Sequence, residues 1–159
     1  MLRAETQAGC VACGPEHPHG LRIKYETALD GSVTACWIPT TGWEGFRGIV
    51  HGGILGTVLD EAMSKAVESS GLEALTADLH VRFRHHVVPG ESLEIRGWIV
   101  ERASRLTRAE ATLTSSDGVE RAHAWAKFLP LSKGAERGQP GQGRGLDSSR
   151  LERTPKERI

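Results

Sequence analysis

Hydrophobic and polar positions alternate with a period of two from residue 21 to residue 38: Leu21, Ile23, Tyr25, Thr27 and Leu29 fall on one side, Asp30-Gly31 interrupts, and Val33, Ala35 and Trp37 resume. Successive strand side chains point to opposite faces and Asp-Gly suits a tight turn, so this stretch predicts a β-hairpin. A loop from Pro39 to Gly48 carries Trp43 and Phe46 between glycines, and Ile49-Val50 leads onward. The spacing then changes. At about 100° per residue, Leu55, Val58, Leu59, Ala62, Met63 and Ala66 share one broad face, which predicts a helix opening at His51-Gly52-Gly53 and stopping near Gly71. From Leu75 the period is two again: Leu75, Ala77, Leu79, Val81 and Phe83 alternate with polar residues up to the Pro89-Gly90 turn. Three more strands are predicted at Leu93 to Arg102, Leu106 to Ser115 and, after a Ser116-Asp117-Gly118 turn, Val119 to Leu129.

The order is two strands, one long helix, four strands. A lone helix with a broad apolar face finds no second helix in the chain, and only a sheet that curves around it can bury that face. The expected fold class is therefore α+β, an antiparallel β-sheet wrapped around one long central helix, occupying residues 1–130. Residues 131–159 contain five glycines, two prolines and no sustained hydrophobic period, and such a segment buries too little surface to offset the entropy of ordering. They are expected to form a disordered tail.

Composition narrows the function. The chain has 159 residues with 20 Lys+Arg against 20 Asp+Glu. Removing the basic tail leaves the expected domain mildly acidic, so no nucleic-acid partner is expected. Without an apolar run long enough to span a bilayer or an apolar start resembling a signal peptide, no membrane partner is expected and a cytoplasmic location is the default. Cys10, Cys13 and Cys36 form an odd set, which suits reduced thiols better than disulfides. Cys10 and Cys13 have the spacing of half a zinc site, with His17 or His19 near by, but no second Cys-x-x-Cys follows. The expectation is a turn packed over the sheet, with no metal.

The chemistry gathers on the predicted helix. Its first turn leaves backbone N–H groups without intrahelical partners at the positive end of the peptide dipoles. Gly52 and Gly53 let a ligand come close there, so the His51-Gly52-Gly53 start suits a thioester or ester carbonyl turning into an oxyanion. The same three residues also fit a loop that merely needs glycine. Nine residues after His51 stands Asp60, on the face opposite the apolar one, with the small neighbours Gly53, Gly56, Thr57 and Ser64. That face is either a solvated one, shared with Glu61, Lys65 and Glu68, or a surface shaped for close approach by the same helix of a second copy. At 1.5 Å per residue, His51 and Asp60 lie roughly 13 Å apart along the axis, too far to serve one reacting centre. An antiparallel pair of chains brings one copy's helix start to the other's Asp60.

At these residues the sequence resembles the hotdog-fold acyl-CoA thioesterases, in the branch holding phenylacetate-pathway and thioesterase-superfamily proteins. The resemblance spans about residues 10 to 129 and rests on GIVHGGILGTVLDEAM, on the LTADLHVRF strand with its Pro-Gly turn, and on the order of elements. It implies that the Gly52 N–H polarises the thioester carbonyl, that Asp60 acts as general base or nucleophile, that Thr76 helps orient water, and that His51 is a positioning group. Some relatives carry an Asn six residues before the histidine; here Gly45 stands there, so that contact to substrate is missing or replaced. Glu61 is a second acid beside the motif acid, and with Gly53 it joins the substrate-binding candidates. The opening CVACGPEHPHGL also looks like a lead-in found in hotdog proteins.

The resemblance implies a homo-oligomer, a dimer or a dimer of dimers, acting on an acyl-CoA without a cofactor. Among the basic residues available for the phosphates of CoA, Arg105 with its neighbour Ser104 comes first, because in the family that region borders the pantetheine channel; Arg84 is a further candidate. Leu55, Leu59, Trp43 and Phe46 are candidates for shaping the acyl pocket. Two other functions fit the same fold: a non-catalytic acyl-CoA or acyl-carrier binding protein, and a hydratase or dehydratase of acyl thioesters.

Overall fold

The structure, a computed structural model, describes residues 7–131. The elements are β1 (Glu26–Thr27), β2 (Val33–Trp37), β3 (Glu44–Phe46), β4 (Ile49–Val50), α1 (Gly52–Ser69), β5 (Ala74–Phe83), β6 (Leu93–Arg102), β7 (Thr107–Ser115) and β8 (Glu120–Pro130). Six strands form one sheet in the order β1-β2-β6-β7-β8-β5, while β3 and β4 make a small separate ribbon ahead of the helix. Every pairing is antiparallel. The expected α+β architecture is thus the observed one. The tail expected at 131–159 falls, apart from Leu131, outside the described residues. No helix among the described residues is long and apolar enough to cross a membrane.

The helix is buried by the face its spacing defined. Leu55, Val58, Leu59, Ala62, Met63 and Ala66 all lie in the core, each of the larger ones worth about 1.5–3 kcal/mol in removed apolar surface. Opposite them, the middle of the sheet is made of short side chains: Ala111 pairs with Gly97 on one side and Ala124 on the other, and Ala109 pairs with Ala126. That lets the helix backbone approach closely. A Cβ on Gly97 would lie 2.5 Å from the Ala62 carbonyl oxygen. Bulk is kept for the flanks, where Trp37, Leu93, Ile95, Leu113 and Phe128 close the core.

Two strands depart from their simple patterns. The first expected strand shrinks to Glu26–Thr27, because Arg22 takes a left-handed φ of 54° and breaks the ladder. Leu21 and Ile23 are still buried, but their N–H groups bond back to Val11 and Ala12, and Leu29 is exposed at the turn. In β5 a bulge falls between Thr76 and Asp78. One extra residue reverses which side chains face the core, since the strand period is two. Leu75, which alternates in register with Leu79, Val81 and Phe83 in the sequence, pairs with Leu129 and is exposed, while half-buried Thr76, which pairs with buried Phe128, takes the side those three share.

The outer face of the sheet is polar and aromatic. His80 stacks on Trp125 with ring centroids 5.5 Å apart, and Lys127 pairs with Asp78 at 2.9 Å.

Candidate active site

The helix start is held by three short segments. β4 is anchored when the Val50 N–H donates to the Val87 carbonyl, and the His51 N–H donates to the Trp43 carbonyl at 2.8 Å. His51 is the N-cap: its Nδ1 accepts from the Gly53 N–H at 2.9 Å, which requires that nitrogen to be bare and places the ring proton on Nε2. The His51 carbonyl takes the Ile54 and Leu55 N–H groups. Of the first-turn donors, the Gly52 N–H is left without a partner among the described residues. Gly45 packs on the His51 ring, where a Cβ would sit 2.9 Å from Cδ2, so glycine there makes room for the imidazole.

Asp60 projects from α1 toward β5, and the Thr76 hydroxyl donates to Asp60 Oδ1 at 2.8 Å. The bulge in β5 is what turns Thr76 to this side. Burial pushes the Asp60 carboxyl above its usual range, the Thr76 hydrogen bond pulls it partly back, and the neighbouring Glu61 charge pushes it up again. A carboxylate so placed is a stronger proton acceptor than one in water.

His51, Gly52, Gly53, Gly56, Thr57 and Asp60 line one wall of a shallow cleft of about 590 Å³, and Leu79, Val81 and Phe83 of β5 line the other. Gly52 packs against the Phe83 ring: a Cβ on it would lie 3.3 Å from the ring edge. The sequence does not mark these three β5 residues as site residues; their period-two alternation identifies a strand and leaves open what its apolar face meets. Gly52 and Asp60 share the cleft but stand roughly 12 Å apart along the helix axis. The cleft is open along an apolar edge, with Leu79 and Phe83 exposed and β5 at the border of the sheet.

The remaining candidates are placed elsewhere within the chain. Glu61 turns away from the cleft toward Cys10, 3.7 Å from its sulfur, and toward Lys65. Arg84 pairs with Glu120. Ser104 and Arg105 are exposed in the connection between β6 and β7. Because Arg102 just before them donates to the Ser70 carbonyl, that connection lies by the C-terminal end of α1, opposite His51. Leu55 and Leu59, considered for the acyl pocket, are spent on the core, while Phe46 is exposed and Trp43 is half-buried against the core.

Residues 47–122 match the family model of the thioesterase superfamily. Among curated proteins, none matches the sequence. Solved structures share the hotdog fold. A thioesterase-superfamily protein aligns with a TM-score of 0.71 at 25% identity, covering 74% of this chain and 61% of its own, so the chain spans about three fifths of that protein's length. A hypothetical thioesterase from Streptococcus pneumoniae, solved with coenzyme A, aligns at 0.65 and 21% identity over 69% of this chain and 85% of its own. The Escherichia coli PaaI protein from the phenylacetic acid degradation operon aligns at 0.66 and 18% identity over 70% and 80%. The pneumococcal protein has also been solved with alanine in place of an aspartate and, separately, of a threonine sixteen residues after it.

Proposed function

We propose that this hotdog-fold protein, whose residues 47–122 match the thioesterase superfamily, is an acyl-CoA thioesterase whose site is shared between two copies of the chain. The observation that carries the reading is Asp60, a half-buried carboxylate fixed by Thr76 in the cleft that also holds the Gly52 amide, unpartnered among the described residues. The sixteen-residue separation of Asp60 and Thr76 equals that of the aspartate and threonine replaced in the coenzyme A-binding pneumococcal protein.

Two features support a second copy as the missing half. The helix face at the cleft is built of small residues, and the apolar edge of β5 has no neighbouring strand among the described residues. Long exposed strand edges with apolar side chains invite pairing. Antiparallel packing about a twofold axis places the partner's Asp60 near Gly52 and gives two equivalent sites. It also brings the partner's Arg105 and Ser104, at the far end of its α1, toward the mouth of the cleft for the CoA phosphates. Arg84 serves the same anion only by leaving Glu120.

In the reaction, Asp60 takes a proton from water as the water oxygen attacks the thioester carbonyl carbon. The oxygen of the tetrahedral intermediate takes the Gly52 N–H. Thr76 spends its one proton on Asp60, so toward water it acts as an acceptor that fixes orientation. The C–S bond then breaks, the acid is released, and the CoA sulfur regains the proton from Asp60. Direct attack by Asp60, through a mixed anhydride, uses the same groups.

The test is hydrolysis of a panel of acyl-CoAs, followed by released thiol, with wild type and Asp60→Asn. Loss of base or oxyanion donor is expected to cost about a hundredfold or more in turnover. Ligand-dependent stabilisation without thiol release would identify a binding protein instead. Loss of enoyl absorbance without thiol release would identify a hydratase.

A further inference from the structure

The segment before β1 runs along α1, tied to it by Gln7, which bonds Glu68 and Lys65, and by Cys10. Within it, Cys10 and Cys13 sit on one tight turn. The Gly14 N–H donates to the Cys10 carbonyl at 2.8 Å, and the Ala12 N–H donates to the Cys10 sulfur at 3.4 Å. Gly14 admits no side chain, because a Cβ would come within 2.4 Å of the Cys10 nitrogen and the Ala8 carbonyl oxygen. The turn is therefore closed as tightly as a backbone permits, and it presents two sulfurs to the same side.

Glu61 faces them from α1. Its carboxylate and the two sulfurs offer three ligand atoms that all lie within 4.8 Å of one another, with Cys10 Sγ 3.7 Å from Glu61 Oε2. Zinc takes sulfur at about 2.3 Å and carboxylate oxygen at about 2.0–2.2 Å, so the sulfur–oxygen edge of a tetrahedral site is about 3.5–3.7 Å. The Cys10–Glu61 edge of 3.7 Å matches it, and the Cys13 sulfur lies within 4.8 Å of both. Two thiolates, one carboxylate and Zn²⁺ sum to a single negative charge, and Lys65 Nζ, 3.9 Å from Glu61 Oε1, offsets it. Cys10, Glu61, Ser64 and Lys65 also line a cavity of about 690 Å³, which gives water access to a fourth position.

We propose that Cys10, Cys13 and Glu61 bind a zinc ion, with water completing the tetrahedron. The sequence pointed to a turn because it lacks a second Cys-x-x-Cys pair; the third ligand comes instead from the helix, 51 residues from Cys10. The ion fastens the N-terminal segment to α1 one residue past Asp60. The inference stands apart from the thioesterase reading, since metal content and activity are read separately.

Protein purified under reducing conditions without chelator is expected to retain one zinc per chain after gel filtration. The metal-free chain titrated with Co²⁺ is expected to develop sulfur-to-cobalt charge-transfer absorption that saturates at one equivalent. Cys10→Ser and Cys13→Ser are expected to abolish that band, and Glu61→Gln to weaken zinc binding by at least about tenfold. Circular dichroism reports whether each variant folds, and the wild-type cobalt titration decides even if none does. Absence of the band in the reduced wild-type protein overturns the proposal, as does a folded Glu61→Gln chain that holds zinc as tightly as wild type.

Discussion

The Thr76 hydroxyl stands 2.8 Å from Asp60 Oδ1, and the bond joins the edge strand of the sheet to the helix. Threonine has one hydroxyl proton, so donating it to Asp60 fixes the carboxylate and leaves Oδ2 for another partner. The geometry depends on the bulge between Thr76 and Asp78, without which Thr76 would face outward with Asp78 and Lys127.

Thr76→Val removes that hydrogen bond while keeping the shape of the side chain. A hydrogen bond to a charged group is worth about 1.5–3 kcal/mol, which corresponds to a fall in turnover of roughly ten- to hundredfold. The bond also holds the Asp60 carboxyl down against burial. A base must be ionised to work, so the acid limb of the kcat profile is expected to move to higher pH in Thr76→Val relative to wild type. An unchanged limb, measured in the same buffers, would detach Thr76 from the base.

Stability gives an independent reading of Asp60. Its folded carboxyl lies above the ordinary value of 3.8, mainly through burial. Between 3.8 and the raised native value the folded chain therefore binds more protons than the unfolded chain, and stability falls as pH rises through that window. Above the window the penalty is constant. Asp60→Asn has no charge to desolvate, so it is expected to melt higher than wild type at neutral pH, with the difference closing as pH falls below 3.8. Thermal unfolding across pH in the presence of a chelator checks the sign.

The fold was legible because its signals are long and periodic. The eighteen-residue helix and strands of nine to eleven residues repeat their pattern often enough to define both element and face. What escaped were single-residue events. Arg22 breaks the first strand with one backbone angle, and the extra residue at the β5 bulge exchanges Leu75 for Thr76; neither leaves a mark in hydrophobic spacing. At the site, Asp60 and Gly52 were legible from their positions on the helix. The Asp60–Thr76 bond, the apolar wall of Leu79, Val81 and Phe83, and the meeting of Glu61 with Cys10 depend on contacts between elements distant in sequence.

His51 is expected to act through the backbone and not as a base, because its Nδ1 is occupied by the Gly53 N–H. Removing an N-cap acceptor costs about 0.5–2 kcal/mol. His51→Ala should therefore lose stability of that order and lose activity as the helix start loosens. His51→Asn supplies an acceptor without an imidazole and is expected to recover most of both. If Asn restores the melting temperature but leaves turnover at the Ala level, the ring has a chemical role beyond capping.

The proposed site between two copies makes one prediction that no single-chain arrangement reproduces. Gly52→Pro removes the donor N–H at a helix position where proline's fixed φ is tolerated, and Asp60→Asn removes the base. Each variant alone is expected to be nearly inactive. Dissociated and re-annealed together, the two form mixed dimers in which one site carries both defects and the other pairs the intact Gly52 of one chain with the intact Asp60 of its mate. Random association makes half the dimers mixed, each with one of two sites working, so about a quarter of wild-type turnover should return. If both groups served from one chain, no site in any mixture would be intact and activity would stay at the level of the separate variants. The recovered kcat, with dimer formation followed by sedimentation, therefore decides between a site within one chain and a site between two.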